Sequence, residues 1–184
     1  MSNIKLINAS CVEQEVDAIV NASNRHLMSG GGICGAIYQK AGYIELNDAC
    51  SKIKTPLNDG DAVITPAFNI TNAKYIIHAV DPNFGYTPNA FDKLFDAYYN
   101  SLKVLMENKL HTIAFPLISS GIFGGNLDNP VATSAEQCLK AYNKFIADYN
   151  EYDVDVVLCA YSTQEMIEAE KVFEEYNNWG KYGK

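Results

Sequence analysis

Arginine is almost missing from this chain: Arg25 stands alone among 14 basic residues, set against 22 acidic ones, and the formal net charge is −8. Affinity for a nucleic-acid backbone rests on clustered Lys and Arg. None is expected here, and an anionic ligand would have to be held largely by backbone amides. Paired cysteines are missing too. Cys11, Cys34, Cys50, Cys138 and Cys159 make an odd count with no C-x-x-C spacing, which argues against a disulfide framework and a zinc site. No apolar run approaches the roughly 18 residues of a membrane span, and the opening Met1-Ser2-Asn3-Ile4-Lys5 lacks a signal peptide's apolar core. No membrane partner is expected, and the cytosol is the expected compartment. There is no repeat, no G-x-G-x-x-G and no G-x-x-x-x-G-K-[ST], so neither a Rossmann fingerprint nor a Walker loop. What is present is an ordinary globular composition, 48% hydrophobic and 20% charged over 184 residues, enough for one domain with a sizeable core.

The most informative stretch runs from Val16 to Tyr38. Ala18-Ile19-Val20 is apolar without alternation, as a strand covered on both faces would be. It leads into Asn21 and Asn24, then Gly30-Gly31-Gly32, then a helix from about Ile33. Three glycines remove every Cβ from a short loop, and the helix start adds unpaired N–H groups and the positive end of its dipole. Together these make a phosphate site; alone, a glycine run is equally well a turn.

Strands and helices alternate along the rest of the chain. Strands are predicted at Ile4–Asn8, Ala62–Thr65 (stopped by Pro66), Tyr75–Val80 (closed by Asp81-Pro82), Thr112–Pro116 and Val154–Tyr161. Helices are predicted from Ala36 to Cys50 with a break near Gly42, and over Phe91–Asn108, Val131–Tyr149 and Thr163–Tyr176. This is the pattern of an α/β fold with a mostly parallel sheet and helices on both faces. One domain over residues 1–176 is expected, with 177–184 as a frayed tail. Ser119-Ser120-Gly121-Ile122 follows a strand end, as the glycine loop does. Two amide-rich loops from different strands suit a diphosphate.

Asn21-Ala22-Ser23-Asn24, Leu27 and Gly30-Gly31-Gly32-Ile33 resemble the segment of the macrodomain family that reads Asn-Ala-Ala-Asn, then Leu, then Gly-Gly-Gly-Val. Pro116 to Gly124 is similar to the family's second phosphate-gripping loop, and Gly60-Asp61-Ala62 with Tyr75 to Val80 to a third block. The resemblance runs from about Ile4 to Phe173. It implies a three-layer α/β/α sandwich around a mixed, mostly parallel sheet of about six strands, and ADP-ribose as ligand. It places at that ligand Ser10, Cys11, Ala22, Asn24, Gly30, Gly31, Gly32, Ile33, Cys34, Ser119, Ser120, Gly121, Ile122, Phe123 and Tyr161. No metal or cofactor enters this reading.

Ser10 stands where the family's aspartate takes the adenine amino group; a hydroxyl can accept the same bond without charge assistance. Tyr161 matches the aromatic that stacks on adenine, although an aromatic at a strand end also caps cores. Phe123 suits packing beside the distal ribose; the alternative is a plug under its loop. Asn24 is the catalytic candidate, because a carboxamide that donates and accepts can fix a ribose hydroxyl and align the anomeric carbon with water. Asn21 resembles the family's loop-bracing asparagine, and Asp17 is read as support for its strand.

Many macrodomain hydrolases carry an aspartate directly after Gly-Gly-Gly-Val, and here that place holds Cys34. A helix start can lower a thiol pKa; the plainer reading is an inert side chain beside the ligand. His78 reads best as a buried core histidine, and Asp81 and His78 are substitutes for the missing base that geometry must decide between. Without a Gln-Glu-Glu signature, chain-degrading glycohydrolase activity is not expected. Two functions follow. One is a hydrolase of the distal-ribose ester in mono-ADP-ribosylated Asp or Glu side chains, or in O-acetyl-ADP-ribose. The other is a non-catalytic ADP-ribose reader.

Overall fold

A computed structural model describes the backbone of residues 1–182. Six strands form one sheet: β1 (Asn3–Asn8), β2 (Val16–Ser23), β3 (Ala62–Pro66), β4 (Ala73–Val80), β5 (Thr112–Pro116) and β6 (Asp155–Ala160). Their order is β1-β6-β5-β2-β4-β3. Every neighbouring pair is parallel except β3 with β4, which is antiparallel. The sheet is thus mixed and mostly parallel, and the carboxyl ends of β1, β2, β4, β5 and β6 meet along one edge.

Period-2 alternation sends side chains of each inner strand to two different cores. Ala18 and Val20 of β2, Ile77 of β4 and Phe115 of β5 face α3 (Ala90–Glu107), α4 (Pro130–Asp148) and α5 (Thr163–Tyr182). Ile19, Ile76 and Ala114 face the other way, against α1 (Gly32–Ala41) and α2 (Tyr43–Ser51). This is the three-layer sandwich. Leu94, Leu102 and Leu105 of α3 are at most 1% exposed, and each such burial contributes about 1.5–3 kcal/mol.

The breaks have local causes. α1 and α2 part at Gly42, whose φ of 106° is costly for any other residue. α4 starts where the Asn129 side chain accepts from Ala132 N (3.0 Å), with Pro130 at the first helical position. Asp17 braces β2 against β5: its Oδ2 accepts from His111 N (2.9 Å) and Thr112 N (3.1 Å).

One boundary differs from expectation. α5 runs through Tyr182 rather than ending at Tyr176. Asparagine and glycine weakly disfavour helix, but a nucleated helix adds one hydrogen bond per residue it fixes. Residues 183 and 184, the end of the expected tail, lie outside the described residues. Among the described residues no helix is long and apolar enough to cross a membrane.

Candidate functional site

The loops after β1, β2, β4, β5 and β6 enclose a cleft of about 910 Å³ at the carboxyl edge of the sheet, where α/β sheets bind their ligands. All fifteen ligand residues expected from the sequence line it. Asp81, Glu165, Ala36 and Cys159 line it as well.

Two loops form its long walls. In the loop after β2, Leu27 adopts φ 56° and is buried, and its carbonyl accepts from the Tyr38 hydroxyl (2.5 Å). This pins the loop to α1, so the leucine is an anchor and not a ligand contact. A Cβ built on Gly30 or Gly31 would meet no protein atom; both positions open onto the cleft. Gly35, one turn into α1, is bare for another reason. A Cβ there would lie 2.6 Å from Gly30 O, so the helix packs directly on the loop.

In the loop after β5, the serine hydroxyls turn inward. Ser119 Oγ donates to Pro82 O (2.6 Å) and Ser120 Oγ to Leu117 O (2.7 Å). The Tyr98 hydroxyl accepts from Ile118 N (3.0 Å), and Ser134 Oγ donates to Ile118 O (2.5 Å). The backbone donors are left over. Among the described residues, the N–H groups of Gly31, Ser120, Gly121 and Ile122 make no hydrogen bond to the backbone, while that of Gly30 reaches the Cys34 sulfur. Unpaired amides on both walls are an anion cradle.

The ends of the cleft differ in chemistry. Ser10 and Tyr161 follow the paired strands β1 and β6, held together by Ala9 N to Ala160 O (3.0 Å). Tyr161 is 77% exposed, which rules out the core-capping role and leaves a free aromatic face. Asn8 Nδ2 fixes the turn beneath it by donating to Ala160 O (2.9 Å). Glu165 is committed to the start of α5, where its Oε1 accepts from Ser162 N (3.0 Å) and Ser162 Oγ accepts from Glu165 N (3.1 Å). Ser162-x-x-Glu165 is a legible capping box. At the other end Phe123 is half-buried, lies outside both cores, and receives Phe84 N on its carbonyl (2.8 Å). It is a cleft wall and no plug.

Asn24 is more constrained than expected. Its Oδ1 accepts from His26 N (3.1 Å) and Met28 N (3.0 Å), and its Nδ2 donates to Met28 O (2.9 Å). A carbonyl oxygen has two lone pairs and an amide nitrogen two hydrogens, so a single N–H remains for a ligand. The expectation that Asn24 both donates and accepts is corrected: it can donate only, because the loop uses its acceptor.

The three remaining candidates separate clearly. His78 is fully buried inside the sheet, with Nδ1 3.1 Å from Asn21 Nδ2 and Nε2 3.0 Å from Thr65 Oγ1. Burial pushes its pKa down to about 4, so it is neutral and structural. Asn21 is bound up with it. Cys34 is buried, and its thiol donates to Met28 O (3.5 Å). Burial raises its pKa, outweighing the hydrogen bonds it receives from the Asn21 side chain and the Gly30 N–H, so it is a protonated wall residue. Cys11 is likewise a buried thiol, raised by burial, donating to Ala114 O (3.2 Å). Asp81 alone offers a carboxyl at the junction of the loops. Burial, with some help from the charge of Asp59, pushes it up to about 7. Its signal in the sequence was only that it closes a strand at the sheet's ligand edge.

The Macro domain family model matches residues 20–135. The O-acetyl-ADP-ribose deacetylase of Escherichia coli K12 is 40% identical over 149 residues, 79% of this chain and 81% of that protein. A structure titled as the Oceanobacillus iheyensis macrodomain with ADP superposes with a TM-score of 0.84 at 28% identity, covering 96% of this chain and 93% of that one. The Trypanosoma brucei macrodomain in complex with ADP-ribose gives a TM-score of 0.77 at 27% identity, covering 91% and 68%. With a family model matching well over half of its length and relatives 40% identical over most of theirs, the chain belongs to the macrodomain family.

Proposed function

We propose that the cleft binds ADP-ribose and that the protein hydrolyses an ester at the distal ribose, as found in O-acetyl-ADP-ribose or in mono-ADP-ribosylated Asp and Glu side chains. The observation that carries this is the pair of walls with unpaired amides, one from β2 and one from β5. One wall suits a phosphate; two facing walls suit a diphosphate. Adenine then rests on the exposed ring of Tyr161 beside Ser10, and the distal ribose lies between Phe123 and the free N–H of Asn24. An activated ester needs little beyond an oriented water and electrostatic stabilisation of the charge that develops. An ADP-ribosylated protein is the partner this implies, and five unpaired cysteines fit the reducing cytosol.

A second reading is a non-catalytic ADP-ribose reader. The protonated Cys34 thiol, in the place of the family's aspartate, supports it. The deciding experiment follows release of acetate from O-acetyl-ADP-ribose and of ADP-ribose from a glutamate-modified protein, with ADP-ribose binding measured by calorimetry. Turnover is the expected result. Binding without turnover of either ester would establish the reader.

A further inference from the structure

Asp81 follows the last residue of β4 and is held from both walls. Its N–H donates to Ser23 O (3.1 Å), next to Asn24, and the carbonyl of Pro82 accepts from Ser119 Oγ (2.6 Å). Its side chain lines the cleft together with Cys34 and Phe123. The only amide that reaches its carboxylate is its own. Asp59, the charge nearest in effect, is paired with Arg25 Nε at 3.0 Å. Glu165, the other carboxylate lining the cleft, is occupied at the start of α5. Among the residues that line the cleft, Asp81 is thus the one acid free for chemistry.

We propose that Asp81 carries the proton in ester hydrolysis, supplying from the β4 side of the cleft the carboxylate that Cys34 does not supply from the α1 side. The proposal rests on the esterase reading above. For O-acetyl-ADP-ribose, the oxygen of a water bonds to the acyl carbon as the bond from that carbon to the ribose oxygen breaks. One water proton passes to the Asp81 carboxylate and from there to the departing ribose oxygen, so acetic acid and ADP-ribose are formed and Asp81 is regenerated. A carboxyl lifted to about 7 by burial is half ionised near neutrality, the condition in which one group both takes and returns a proton. Of the groups facing it, Asp59 is neutralised by Arg25 and Cys34 stays protonated.

The test is kcat and KM for O-acetyl-ADP-ribose from about pH 5 to about pH 9 in the native protein and in Asp81→Asn, with ADP-ribose affinity measured by calorimetry. The expected native kcat/KM rises with pH through an inflection near 7. Asp81→Asn should lose about 10²- to 10⁴-fold in kcat with that limb abolished, while KM and ADP-ribose affinity stay close to native. Native-like kcat in Asp81→Asn overturns the role of Asp81 and leaves the esterase standing. So does a native profile with no inflection near neutrality. A native protein that binds ADP-ribose yet releases no acetate overturns both.

Discussion

Replacing Gly31 by glutamate tests the anion cradle without testing the fold. Gly31 has φ −87°, which any residue adopts, and a Cβ there meets no protein atom. A carboxylate at the start of α1 is even favoured by the helix dipole, by about 0.3–1 kcal/mol. The whole penalty should therefore fall on the ligand. A charge about 5 Å from each phosphate costs about 3 kcal/mol per pair at an effective dielectric near 20, and about half that in a cleft open to water. Two phosphates bring the sum to about 3 kcal/mol, or about a 100-fold rise in Kd. Calorimetry with ADP-ribose reads this directly, and a thermal melt should show a Tm equal to or slightly above native. Raising the salt should recover part of the loss, since exposed charges are screened. Gly31→Ala, with bulk but no charge, should lose less than about tenfold. If Gly31→Glu binds within about threefold of native, the diphosphate does not lie against this loop.

Tyr161→Ala should weaken ADP-ribose binding by about 1–3 kcal/mol, the worth of one base on one aromatic face, with no change in Tm because the ring is 77% exposed; an unchanged Kd would refute the stacking role. Asn24→Ala removes three loop hydrogen bonds and should cost about 1–3 kcal/mol of stability as well as most of the turnover; urea denaturation that matches native would contradict the pairing described. Asp81→Asn should be more stable than native above pH 7, by about 2 kcal/mol after allowance for its partial exposure, because ionising the raised carboxyl costs the folded state; equal stability at pH 8 would count against its burial. His78 and Asp81 pull stability in opposite directions. His78 has its pKa lowered to about 4, so its contribution is complete above the unfolded value near 6.5 and is lost as pH falls toward 4. Asp81 has its pKa raised to about 7, so its contribution is present below the ordinary carboxylate range and is lost as pH rises through 7. The two offset each other in the native protein. In Asp81→Asn, urea denaturation should show stability rising by about 3 kcal/mol from pH 4 to pH 7, and a flat profile would refute the neutral buried histidine.

The sequence made the sheet legible wherever a run was long and apolar or a glycine had to break it, as at Ala18-Ile19-Val20 and Gly42. The ligand loops were legible because three adjacent glycines and Ser119-Ser120-Gly121 have few other reasons to follow strands. What stayed hidden was the use of each polar atom. Nothing in the string tells that Asn24 spends its acceptor on His26 and Met28, or that the serine hydroxyls of the second loop face inward. Tyr161 could cap a core or carry a base until its exposure was known. Asp81 and His78 lie only three residues apart, yet His78 is inside β4 and Asp81 just past its end, so one faces the cleft and the other is buried in the sheet. The end of α5 escaped because propensity alone does not fix where a nucleated helix stops.

The two bonds at the end of β4, from Asp81 to Ser23 and from Ser119 to Pro82, rivet the jaws of the cleft to a common hinge pin. The spacing of the jaws is thus held by hydrogen bonds within the chain that a ligand need not supply. A ligand that leaves those bonds intact enters from the rim, where Tyr161 is 77% and Ile122 93% exposed. A rigid slot of this kind gains affinity because little has to be ordered on binding.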